Sequence, residues 1–63
     1  MLITRKSPLT GEVNTRDIPI YEEDLRAWQA GAHIQDVMPH LSADDREFIM
    51  TGFTPADWDK MFR

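Results

Sequence analysis

The chain contains no cysteine, which removes disulfides, thiolate metal sites and thiol nucleophiles at once. No apolar run approaches the roughly 18 to 20 residues that span a bilayer. The opening MLITRKSPLTG lacks the basic-then-apolar order of a signal peptide. These absences set the expectation of a soluble, cytoplasmic protein with no membrane partner. Basic residues are also scarce: 7 Lys and Arg stand against 11 Asp and Glu, for a net charge of −4. The deficit is uneven. Residues 1–20 carry Arg5, Lys6 and Arg16 against Glu12 and Asp17, while residues 21–63 carry the other nine acids against Arg26, Arg46, Lys60 and Arg63. A surface of that sign repels a phosphate backbone, so the later part of the chain is a poor candidate for nucleic acid.

What is present has to work at small size. The 63 residues read as a single small domain, and a domain of this length buries about 60% of the surface its unfolded chain exposes. With no disulfide or metal to help, stability must come from efficient packing or from association with itself or a partner.

The period of the apolar residues changes near residue 20. In the first twenty residues SPLTG supplies a turn: Pro8 presets φ, and Gly11 can take the positive φ that closes a four-residue loop built on a type I turn. Ser7 then pairs with Glu12, Thr4 with Thr15 and Ile3 with Arg16. This register puts Met1, Ile3, Ile18 and Ile20 on one face, expected to be buried, and turns Leu2 and Val13 the other way. A two-stranded hairpin is marginal in water, so the rest of the chain must cover the isoleucine face.

From Tyr21 onward helical spacing takes over. Tyr21, Leu25 and Trp28 fall at i, i+4 and i+7, acids fill the first turn, and Gly31 can close a helix over residues 22–30. Ile34, Val37 and Met38 share one side of a short helix that Pro39 limits to about two turns. Ser42 with Asp45 resembles a capping box ahead of Phe48, Ile49 and Phe53, which read as core. Thr54, Pro55 and Asp57 repeat the device. Trp58, Met61 and Phe62 follow at i, i+3 and i+4. The expected fold is α+β: an N-terminal β-hairpin over residues 1–20, packed on three to four short helices over residues 21–63, in the order ββαααα.

Sites with chemistry are scarce in this pattern. The acidic clusters lie at helix starts, where carboxylates satisfy free amides and the helix dipole. His33, Asp36 and His40 have a suggestive spacing, but Pro39 interrupts it and no third convincing ligand follows, so neither a metal nor any other cofactor is expected. The serines and threonines occupy turns and caps rather than nucleophile positions, and so short a chain rarely encloses a ligand pocket. No enzymatic activity is expected. A helix-turn-helix reading of ADDREFIMTGFTPADWDKMF fails on its second helix, which begins Pro, Ala, Asp, Trp, Asp where a DNA-reading helix needs Arg, Lys, Asn or Gln. The nucleic-acid alternative therefore rests on the hairpin cations Arg5, Lys6 and Arg16.

The aromatic residues carry the remaining information. Trp28, Phe48, Phe53, Trp58 and Phe62 are a large payload for a shell this small. Trp58, Met61, Phe62 and Arg63 have the composition of a binding hot spot near a chain end. Two readings stay open for Trp58, Met61 and Phe62: they close the core, or they face a protein partner. Self-association through the hairpin edge or the aromatic face is a further alternative.

The stretches TRKSPLTGEVNT and IQDVMPHLSADDREFIMTGFTPADWDKMF, with Trp28 between them, resemble a group of very short proteins of bacteriophages and other mobile elements. The resemblance implies a setting, and brings with it no activity or functional residue. In that setting a small acidic protein acts by binding a larger host or phage protein, as an inhibitor or adaptor. Tyr21 stands where the group's pattern has a Thr that would cap the first helix, so here that cap is lost or supplied by another residue.

Overall fold

The computed structural model describes residues 1–62. Two strands, β1 (Leu2–Lys6) and β2 (Val13–Asp17), precede four helices: α1 (Glu22–Gln29), α2 (Ile34–Val37), α3 (Ala43–Thr51) and α4 (Pro55–Met61). The fold is α+β in the order ββαααα, drawn out to 34 Å along one axis and 19 Å across the other two.

The strands pair antiparallel with Ile3 opposite Arg16 and Thr4 opposite Thr15. The register follows from the turn. Gly11 takes φ +76°, its amide donates to the Ser7 carbonyl at 2.9 Å, and the Ser7 amide donates to the Glu12 carbonyl at 2.8 Å. Ser7 Oγ accepts from the amides of Leu9 and Thr10 inside the loop. Thr4 and Thr15 share a hydrogen bond of 2.7 Å between their hydroxyls, as expected of a non-hydrogen-bonded pair whose side chains approach closely. Alternation then sends Ile3, Arg5 and Arg16 to the helix side and leaves Leu2, Thr4, Val13 and Thr15 exposed.

Ile3, Ile18, Ile20, Met38, Leu41, Phe48 and Ile49 form the buried core, with Leu25, Trp28, Ile34 and Val37 packed at its margin. Each large side chain fully removed from water there contributes about 1.5–3 kcal/mol. Helix α3 supplies Phe48 and Ile49 and packs on β1. It ends at Gly52 in the left-handed conformation, φ +88°, where a Cβ would lie 2.6 Å from the Lys6 carbonyl oxygen. Glycine is required there twice over, by its φ and by the close approach.

Met1 and Phe53 depart from the expected core, and Tyr21 departs from the apolar spacing read for α1. Met1 is exposed, because its ammonium group is held at the end of the ladder by the Asp17 carboxylate and the Ile18 carbonyl. Tyr21 is also exposed: it is the N-cap residue of α1, with extended backbone, and it lies outside the helical face that Leu25 and Trp28 define. Phe53 is half-buried and stacks against Trp58 instead of entering the core, since the turn at Gly52 redirects the chain. The Tyr21 side chain makes no cap hydrogen bond to α1; only the return half of a box is present, with the Asp24 carboxylate accepting from the Tyr21 amide at 3.0 Å. Helix α2 is a single turn. His40 Nε2 donates to the Pro19 carbonyl at 2.6 Å and ties the segment after α2 to the hairpin exit.

Candidate protein-binding surface

The C-terminal aromatic cluster is built by helix-start chemistry. Thr54 is the N-cap of α4: its Oγ1 accepts from the Asp57 amide at 3.2 Å, and Asp57 Oδ2 accepts from the Thr54 amide at 3.1 Å. Pro55 occupies the first helical position, where no donor is missed. In such a box the residue before the cap meets the fourth helical residue as a hydrophobic staple. Those residues are Phe53 and Trp58, with ring centroids 5.4 Å apart and planes tilted by 42°. One turn further on, Phe62 lies 5.4 Å from Trp58 with the rings within 5° of parallel. Phe53, Trp58 and Phe62 therefore form a continuous ladder that starts at the end of α3 and runs out along α4.

The ladder has a dry end and a wet end. Phe53 and Trp58 are half-buried, whereas Phe62 is 75% exposed and Met61 37% exposed. None of the four belongs to the buried core cluster. Trp58, Met61 and Phe62 are thus brought together, outside the core. Arg63, the fourth candidate contact, lies outside the described residues.

Asp57 anchors this arrangement to the hairpin. Its Oδ2 accepts a second hydrogen bond, from Ser7 Oγ at 2.8 Å, and both residues are buried. The Thr54 amide, then the Ser7 hydroxyl, hold the Asp57 carboxyl below its ordinary value; partial desolvation opposes them, and the Thr54 hydroxyl and the Lys60 charge add smaller favourable effects. The local sequence places Ser7 in a turn and Asp57 in a cap. Both roles hold, but the bond between them had no local signal. Phe53 was missed as a ladder member, although the F-T-P-A-D-W string contains both cap and staple.

The hairpin cations Arg5, Lys6 and Arg16 have different surroundings. Arg16 lies on the helix side, its guanidinium 3.2 Å from the Asp45 carboxylate and 5.6 Å from the centre of the Phe48 ring. Arg5 reaches toward the Met50 carbonyl at 3.5 Å, and Lys6 is exposed. Among the described residues no group of three or more His, Cys, Asp or Glu is placed to hold a metal ion, and no helix is long and apolar enough to cross a membrane. An open depression of about 400 Å³ beside α2 is lined by His33, Ile34, Gln35 and Asp36; His40 is drawn away from it by its bond to Pro19.

No family model, curated protein or solved structure matches the chain.

Proposed function

We propose that the chain is a non-enzymatic protein-binding module that docks on a larger protein through Phe62, Met61 and the open side of Trp58. The observation that carries this reading is the wet end of the ladder: a phenyl ring 75% exposed yet held parallel to an indole. A pre-ordered aromatic side chain loses little freedom on binding, and burying it contributes about 1.5–3 kcal/mol. Trp, Met and Phe in such a cluster have the makeup of a hot spot. Ser7 and Asp57, the hydroxyl and carboxylate that meet in the fold, are sealed from solvent and already bonded, which favours binding over catalysis. Arg16, one of the three hairpin cations of the nucleic-acid alternative, is paired with Asp45.

In the phage or mobile-element setting implied by the resemblance, the partner is a host or phage protein in the host cytoplasm, and the module inhibits or recruits it. Affinity capture on immobilised protein, followed by cross-linking, tests the reading. Partners retained by the parent chain and lost with Phe62→Ala support it. Full retention by a folded Trp58→Ala, Phe62→Ala double variant contradicts it.

A further inference from the structure

The hairpin has two edges, and the fold treats them differently. Hydrogen-bonded pairs alternate along the ladder. Met1 with Ile18 and Ser7 with Glu12 are bonded, so by alternation Ile3 with Arg16 and Arg5 with Asn14 are bonded as well. The backbone groups of Leu2, Thr4 and Lys6 therefore point away from β2, and those of Val13, Thr15 and Asp17 point away from β1. On the β1 side, the outward amides and carbonyls of Leu2, Thr4 and Lys6 have no backbone partner among the described residues, but the end of α3 crowds this edge, where a Cβ on Gly52 would lie 2.6 Å from the Lys6 carbonyl oxygen, and α3 packs on the strand. On the β2 side, the amides and carbonyls of Val13, Thr15 and Asp17 have no partner among the described residues. That leaves an open template for strand addition.

The open edge is complementary to itself. We propose that β2 of one chain pairs antiparallel with β2 of a second copy about a two-fold axis at Thr15, giving a four-stranded sheet in the order β1-β2-β2-β1. In this register each Val13 faces an Asp17 of the other copy and the two Thr15 residues face each other. All three outward-pointing residues of each strand are used, for about six backbone hydrogen bonds. No like charges stand directly opposite. A shift that centres the axis on Arg16 sets two guanidinium groups against each other and loses a bonded pair, so the Thr15 register is favoured.

Two further features fit the same register. On the outer face the Thr4 and Thr15 hydroxyls are already bonded, and pairing extends them into a four-threonine row across the sheet. On the inner face each Arg16 comes opposite an Asn14 amide of the second copy, so no two cations meet there. The axis stands perpendicular to the sheet, which keeps all helices on one face. This inference does not depend on the C-terminal aromatic surface.

Sedimentation of the full chain from about 10 μM to 1 mM, a range suited to a small interface, reads the association. The apparent mass is expected to rise from 7.3 kDa toward twice that value, with the Thr15 amide gaining protection from hydrogen exchange as concentration rises. A synthetic chain N-methylated at Thr15 removes the outward donor and leaves the bonds to β1 intact; it is expected to stay monomeric while keeping the parent's helical signal. Phe62→Ala is expected to associate as the parent does. A constant monomer mass across the range overturns the proposal, as does association that survives N-methylation or is lost with Phe62→Ala.

Discussion

The Ser7 hydroxyl donates to the Asp57 carboxylate at 2.8 Å across a separation of 50 residues. This bond joins the hairpin turn to the first turn of α4. Each partner is already used locally, Ser7 as acceptor for the Leu9 and Thr10 amides and Asp57 as the return half of the Thr54 box. Two local motifs thus share one buried contact, which ties the start of α4 to the hairpin turn.

Ser7→Ala removes the acceptor of two loop amides and one donor to Asp57. The midpoint of thermal unfolding is expected to fall by roughly 5–15 °C, measured by circular dichroism. Hydrogen exchange should show the amides of α4 losing protection before those of α3. A midpoint within about 2 °C of the parent contradicts the role given to this bond.

Acid should weaken the same link. The Asp57 carboxyl is held below the ordinary value of 3.8 in the folded chain, so the unfolded state takes up its proton first as the pH falls. Its contribution to stability is therefore complete above about pH 5, declines as the pH drops through the unfolded value, and is gone below the folded one. Asp57→Asn is expected to unfold more readily than the parent at pH 7, with the gap narrowing as the pH falls below the ordinary value of 3.8. A gap that stays constant with pH contradicts this linkage.

Gly52→Ala is expected to be among the most damaging small substitutions. The left-handed φ alone costs about 1–2 kcal/mol for a residue with a Cβ, and the new methyl meets the Lys6 carbonyl oxygen at 2.6 Å. Chemical denaturation should give a loss of at least about 2 kcal/mol. A loss under about 1 kcal/mol would show that the α3 end can move away from β1 freely.

How much of this was legible in the sequence depends on how local each cause is. The hairpin register could be read because Gly11 and the Thr4 and Thr15 positions specify it within one turn. The α4 start was visible in Thr54, Pro55 and Asp57 for the same reason. Met1 was misplaced because alternation says which face a side chain takes, not whether the chain end lets it reach the core; its ammonium group prefers Asp17. Phe53 satisfied two patterns at once, a core position after Ile49 and a staple to Trp58, and the left-handed turn at Gly52 decided for the staple. Arg16 was read by its charge, whereas its environment is set by Asp45 and Phe48, which reach it through tertiary packing. The Ser7 bond to Asp57 was invisible because nothing in either local motif called for a third partner.

The two ends of the aromatic payload should answer differently to truncation. Phe48 is fully buried, and Phe48→Ala is expected to cost about 3–5 kcal/mol, enough to unfold a domain of this size. Phe62 rests on Trp58 at the surface, and Phe62→Ala is expected to cost about 1 kcal/mol or less. Comparable losses at the two positions, measured by urea titration, would assign Phe62 to the core.

The most direct test of the central claim is quantitative partner capture with the parent chain and Phe62→Ala at equal concentration and matched helical content. Phe62→Ala is expected to lose at least about tenfold in retained partner, the equivalent of about 1.4 kcal/mol. Undiminished retention by the folded variant would contradict it.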